Sequence, residues 1–132
     1  MAETTKTAAE EKDQISSEAA VVDTDGFGES AMSDEVVVEV NDLQTYFTTR
    51  WGTVKAVDGL SFHVKRGETL GIVGESGSGK SVTALSLMRL VPSPPGQIVG
   101  GQVLLNGRNT LEISEREMTA VRGGEISMIL QD

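Results

Sequence analysis

Residues 69–81 read Thr69-Leu70-Gly71-Ile72-Val73-Gly74-Glu75-Ser76-Gly77-Ser78-Gly79-Lys80-Ser81. The last eight fit the G-x-x-x-x-G-K-[ST] phosphate-binding pattern, and the five before them read as a short apolar strand. From Ser81 to Leu90 there is no helix breaker, and the first proline is Pro92. Strand, glycine-rich loop and helix in that order predict a P-loop unit that binds a nucleoside triphosphate. Gly74, Gly77 and Gly79 lack a Cβ, so the backbone can turn sharply and aim its N–H groups inward. Glu75, Ser76 and Ser78 complete the cradle. The helix behind it adds unpaired N–H groups and a positive dipole end. Lys80 is a mobile cation for the β and γ phosphates, and the Ser81 hydroxyl is an oxygen ligand for Mg2+.

Upstream, Glu35-Val36-Val37-Val38-Glu39-Val40 is a β-branched strand. Asn41-Asp42 interrupts it before Leu43 to Phe47. Thr48 to Gly52 reads as a turn, Val54 to Val57 as a strand, and Asp58-Gly59 as another turn. Leu60, Phe62 and Val64 then alternate with Ser61, His63 and Lys65, which puts His63 on a polar face. Downstream, the helix is apolar on two stripes, Val82/Leu85/Met88 and Ala84/Leu87/Val91, as in a helix covering a sheet. Pro92 to Gly101 reads as a loop and Gly101 to Gly107 as a strand and turn. Ser114-Glu115-Arg116-Glu117 is a capping box opening a helix through Arg122, and Ile126 to Leu130 reads as a last strand.

At 132 residues the chain holds at most one small domain. Ten of its twenty acidic residues lie in residues 1–35, against Lys6 and Lys12, so eight of its nine net negative charges belong to that stretch. Residues 1–34 carry no apolar period and are expected to be a disordered acidic tail, with binding to a basic partner or adaptation to high salt as alternatives. The start Met1-Ala2-Glu3 does not read as a secretory signal, and no apolar run reaches 18 residues. There is no cysteine, which excludes disulfides and thiol catalysis. A basic, aromatic-rich surface is missing, so no nucleic-acid partner is expected.

The order of these features resembles the ATP-binding subunits of ABC transporters, and more narrowly those of dipeptide, oligopeptide and nickel importers. Lys55-Ala56-Val57-Asp58-Gly59 and Arg66 to Ser81 carry the resemblance. Pro95 to Gly101, Ser114 to Met118 and Ile129-Leu130-Gln131-Asp132 add to it. It covers about residues 36–132, and it implies a domain over 35–132 that ends at the Q-loop. The implied fold is an α/β P-loop NTPase: an antiparallel β subdomain, then the start of the parallel core. The resemblance makes Gln131 the Q-loop glutamine, a Mg2+ ligand that touches the membrane subunit. It offers Trp51 and Phe47 as two candidates for the aromatic ring that stacks on adenine. It implies membrane permease subunits and a second ATP-binding subunit as partners, at the cytoplasmic side of the membrane.

The family's signature segment, its Walker B strand and its switch histidine have no match in residues 82–132, and His63 lies upstream. The chain is therefore expected to be the N-terminal part of a longer subunit, with ATP hydrolysis by this stretch left open. A catalytically inactive nucleotide-binding or regulatory module is the alternative. A small kinase or GTPase is a third class, but the Asn-Lys-x-Asp motif of a GTPase is absent. A sheet short of later strands predicts exposed apolar surface on the helix after Lys80 and on the last strand.

Overall fold

The computed structural model describes residues 20–23 and 34–131. Two long antiparallel strands, β2 (Val36–Thr49) and β3 (Gly52–Lys65), dominate it. The breaks expected at Asn41-Asp42 and Asp58-Gly59 do not end these strands. They are absorbed as a bulge, with register shifts between Val40 and Leu43 and around Gln44. Asp42 takes a left-handed φ of 48°, and its N–H donates to Ser61 Oγ at 2.8 Å. Opposite it, Gly59 has a φ of 84°, and a Cβ there would lie 3.1 Å from Asp42 Oδ1. His63 is exposed, as the alternation predicts.

On the other side of β2 lies β5 (Gly96–Leu105), followed by the short β6 (Arg108–Asn109). The sheet order is β3-β2-β5-β6. The loop expected over Pro92–Gly101 therefore stops at Pro95. Gln97 and Ile98 pair with Tyr46 and Thr45, and a proline-free stretch can donate to that ladder.

Helix α1 (Lys80–Leu87) is shorter than the run to Leu90. It stops because Arg89 turns left-handed, at φ 52°. The Arg89 N–H donates to Ser86 O and the Leu90 N–H to Leu85 O, the paired bonds of a Schellman end. Apolar burial on two stripes is only half met. Val82 and Leu87 pack on the core, but the fully buried side chains inside the helix are Thr83 and Ser86. Ser86 Oγ meets the buried Thr45 Oγ1 of β2 at 2.8 Å, so a hydroxyl pair joins helix to sheet.

Val40, Leu43, Val57 and Val103 form the main core between α1 and the sheet. Each such side chain contributes about 1.5–3 kcal/mol by leaving water. A second cluster, Leu105, Met118 and Val121, docks α2 (Glu115–Val121) against β5. The capping box forms as expected: Ser114 Oγ accepts from the Glu117 N–H, and Glu117 accepts from the Ser114 N–H. The hydrogen bonds from Ser114 hold the Glu117 carboxyl below its ordinary pKa.

Two further expectations change. A disordered tail does not hold at Ala20–Asp23, which form β1 and pair antiparallel with β4 (Leu70–Val73). The β-branched Val21-Val22 suits a strand, and β4 offers an open ladder edge. The remaining expectations for residues 1–19 and 24–33 lie outside the described residues. At the other end, Ile126–Leu130 is not a strand. Only an isolated bridge links Arg122 and Ile126, and residues 127–131 have no ladder neighbour among the described residues. A strand needs a partner for its N–H and C=O groups, and among the described residues none is beside it. Among the described residues no helix is long and apolar enough to cross a membrane.

Candidate functional site

The strand β4 runs straight into the glycine-rich loop, and the loop runs straight into α1. Gly77 and Gly79 take φ values of 83° and 96°. A Cβ on Gly77 would meet nothing within 4 Å, so conformation rather than space calls for glycine there. Ser78 N–H donates to Glu75 O at 3.0 Å and closes the turn. Gly79 is the N-cap of α1 and brings no side-chain cap. Among the described residues no side chain accepts from the first-turn N–H groups, which leaves them open to an anion.

A cavity of about 440 Å³ opens on this loop. Ser76, Gly77, Gly79, Lys80 and Ser81 line it from the loop side, and Gln131 lines it from the far end of the chain. Val54 and Ala56 of β3, with Val82, form its apolar wall. A second cavity of about 430 Å³ shares Lys80, Ser81 and Gln131 and continues over Leu70, Ile72, Leu85 and Met128. The fold therefore brings Lys80, Ser81 and Gln131 together, 51 residues apart in sequence at the widest. The Lys80 ammonium folds back and donates to the carbonyl of Gly74, across the mouth of the loop.

The donor set suits a phosphate chain. Ser78 Oγ is buried and has no hydrogen-bond partner among the described residues. A buried hydroxyl of this kind is completed by a water or a ligand oxygen, although Ser78 itself lies outside the lining of both cavities. The uncapped helix end, two left-handed glycines and one lysine point to the same anion. For a cation, Ser81 and Gln131 offer neutral oxygens on one cavity, the kind of partial shell that Mg2+ completes with water and phosphate oxygens.

The two aromatic candidates stand apart. Trp51 sits in the β2–β3 turn, 88% exposed, with the Arg50 guanidinium 5.7 Å from its ring centre. Phe47 is partly buried; a Cβ on Gly96 would lie 2.8 Å from its ring. Neither lines the two cavities, and neither do Gly74, Glu75 and Ser78. Val54 and Ala56 were missed by reading the sequence. The Lys55-Ala56-Val57 strand is visible in the sequence, but that Val54 and Ala56 face the loop depends on how β3 lies against it.

The ABC transporter family profile matches residues 57–132. Over 98 residues the chain is 54% identical to a probable peptide ABC transporter ATP-binding protein of Sinorhizobium fredii, covering 74% of this chain and 29% of that protein. It is 52% identical over 96 residues to an oligopeptide transport ATP-binding protein of Bacillus subtilis, covering 73% and 27%. A dipeptide transport ATP-binding protein of the same organism is 47% identical over 98 residues, covering 74% and 29%. The chain thus spans under a third of the length of these relatives.

Proposed function

The chain belongs to the ABC transporter family, and from that premise we propose that it is the ATP–Mg2+-binding portion of a subunit that energises peptide import. One observation carries the proposal: Lys80, Ser81 and Gln131 line a single cavity at the uncapped start of α1. In this reading the loop Gly74–Ser81 wraps the phosphates with its N–H groups. Lys80 leaves the Gly74 carbonyl to reach the terminal phosphates. Ser81 and Gln131 supply oxygens to Mg2+, which when bound neutralises phosphate charge. Trp51 is assigned the adenine, because its ring is open to solvent whereas Phe47 is committed to the contact at Gly96.

Peptides as cargo are supported by the names of the relatives. The work of the whole subunit is proposed on the same ground: association with membrane permease subunits, pairing with a second ATP-binding subunit, and a place on the cytoplasmic face of the membrane. Hydrolysis is assigned outside this stretch. His63 lies exposed on β3 and away from the cavity, so it is in no position to orient an attacking water. The test is ATP–Mg2+ titration of the chain and of Lys80→Ala. Loss of measurable binding in the variant, with an unchanged circular dichroism spectrum, is expected. Retained affinity would refute the phosphate-loop assignment.

A further inference from the structure

The end of α1 that points away from the phosphate loop is held by an unusual clasp. Arg122 Nε donates to the Met88 carbonyl at 2.7 Å, and its Nη2 donates to the Arg89 carbonyl at 3.1 Å. Met88 is the C-cap of α1 and Arg89 the residue after it, so both carbonyls lie at the negative end of the helix dipole, which a cation suits. The third nitrogen, Nη1, pairs with Glu115 Oε1 at 2.8 Å. Arg89 reaches back the other way, donating to the carbonyls of Thr110 and Ile113 at 3.1 and 2.9 Å. Its Nη2 lies 3.6 Å from the other oxygen of the same Glu115. Both arginine side chains are about four-fifths buried, at 23% and 20% exposure. Arg89 does this from a left-handed backbone, a position where Schellman ends take glycine.

Arg122 is also where the path to Gln131 begins. The turn after α2 is closed by bonds from the Ile126 N–H to Val121 O at 3.1 Å and from the Gly123 N–H to Ile126 O at 2.6 Å. Beyond Ile126, residues 127–131 have no backbone ladder among the described residues. Their last main-chain anchor is therefore the 121–126 turn. At its opposite end α1 is a rigid rod about 12 Å long, and its first two residues are Lys80 and Ser81.

We infer that Arg122 is a positioning residue: its clasp on the end of α1 sets where Gln131 stands relative to Lys80 and Ser81. It touches neither nucleotide nor metal. It fixes one rigid body, α1 with the loop, against the turn from which Gln131 is delivered. The inference rests on the nucleotide reading of the cavity.

A double-mutant cycle on ATP–Mg2+ affinity tests it, using the chain, Gln131→Ala, Arg122→Ala and the double variant. Gln131→Ala is expected to weaken binding about tenfold in the native background, and by under about twofold once Arg122 is gone. A merely structural arginine would lower stability yet leave the Gln131 factor the same in both backgrounds, and that result overturns the inference alone. No effect of Gln131→Ala in the native background overturns the reading of the cavity together with the inference. Should Arg122→Ala fail to fold, Arg122→Lys carries the same cycle. It keeps the charge and stem but not the planar fork, so the Gln131 factor is expected to shrink there too; an undiminished factor overturns the inference.

Discussion

Ser78 is the residue at which this site is most exposed to experiment. A buried hydroxyl without a partner destabilises by about 1–3 kcal/mol, and Ser78 Oγ is such a group. If a phosphate oxygen is its intended partner, Ser78→Ala should act in opposite directions on the free and bound protein. We expect the unliganded chain to melt at the same temperature or higher, and the stabilisation by ATP–Mg2+ to shrink. Thermal melts with and without nucleotide check this; an unchanged ligand-induced shift removes Ser78 from the site. The sequence placed Ser78 in the loop by its spacing. It carried no sign that this serine, and not Ser76, would be buried without a partner, because burial follows only once the turn that Ser78 N–H closes on Glu75 O has folded. The Thr45–Ser86 pair was hidden for a similar reason. Each looks like an ordinary polar residue in its own element, and only the docking of α1 on β2 makes them neighbours.

At the scale of elements, the phosphate-loop strand is the least supported part of the site. Among the described residues β4 pairs with β1 alone, over four residues, and two-stranded sheets are marginal in water. The strand that aims the loop thus relies on a segment some fifty residues upstream. Replacing both Val21 and Val22 with proline removes two adjacent N–H groups, so the ladder is broken whichever of the two faces β4. Amide exchange at Leu70–Val73 should then speed up by about tenfold, while the amides of Val40, Val57 and Val103 in the larger sheet keep their rates. Unchanged protection at Leu70–Val73 would show that β1 does not hold that edge. The capped helix α2 was legible because its signal is local: Ser114 and Glu117 satisfy each other within one turn. The last strand was misread for the converse reason. Ile126–Leu130 has strand composition, but a strand exists only with a neighbour to bond, and periodicity does not report neighbours.

At the level of the molecule, a closed core coexists with exposed apolar side chains among the described residues. The core of Val40, Leu43, Val57 and Val103 is closed between α1 and the sheet. At the second cavity, Ile129 and Leu130 remain 97% and 65% exposed. An apolar surface of this kind drives association. The chain alone should therefore self-associate with rising concentration in sedimentation velocity runs, and Ile129→Ser with Leu130→Ser should reduce that association. Equal behaviour of the two proteins would show that the patch is not the cause. The expectation of exposed apolar surface came from the sequence. Its location was only half right, since α1 turns its small polar face inward and its remaining apolar residues are partly covered.

The P-loop, the helix behind it, the capping box and the family can all be read along the chain. All of these rest on interactions between residues close along the chain, or on a spacing that one strand–loop–helix unit imposes. Tertiary structure alone decided the rest: that β2 and β3 run unbroken through a bulge, that Val54 and Ala56 wall the cavity, that β1 holds β4, and that Arg122 grips the far end of α1. Those contacts join segments that are distant along the chain. Their partners are chosen by burial and by the need to satisfy every backbone group, and neither condition can be evaluated until the chain has folded.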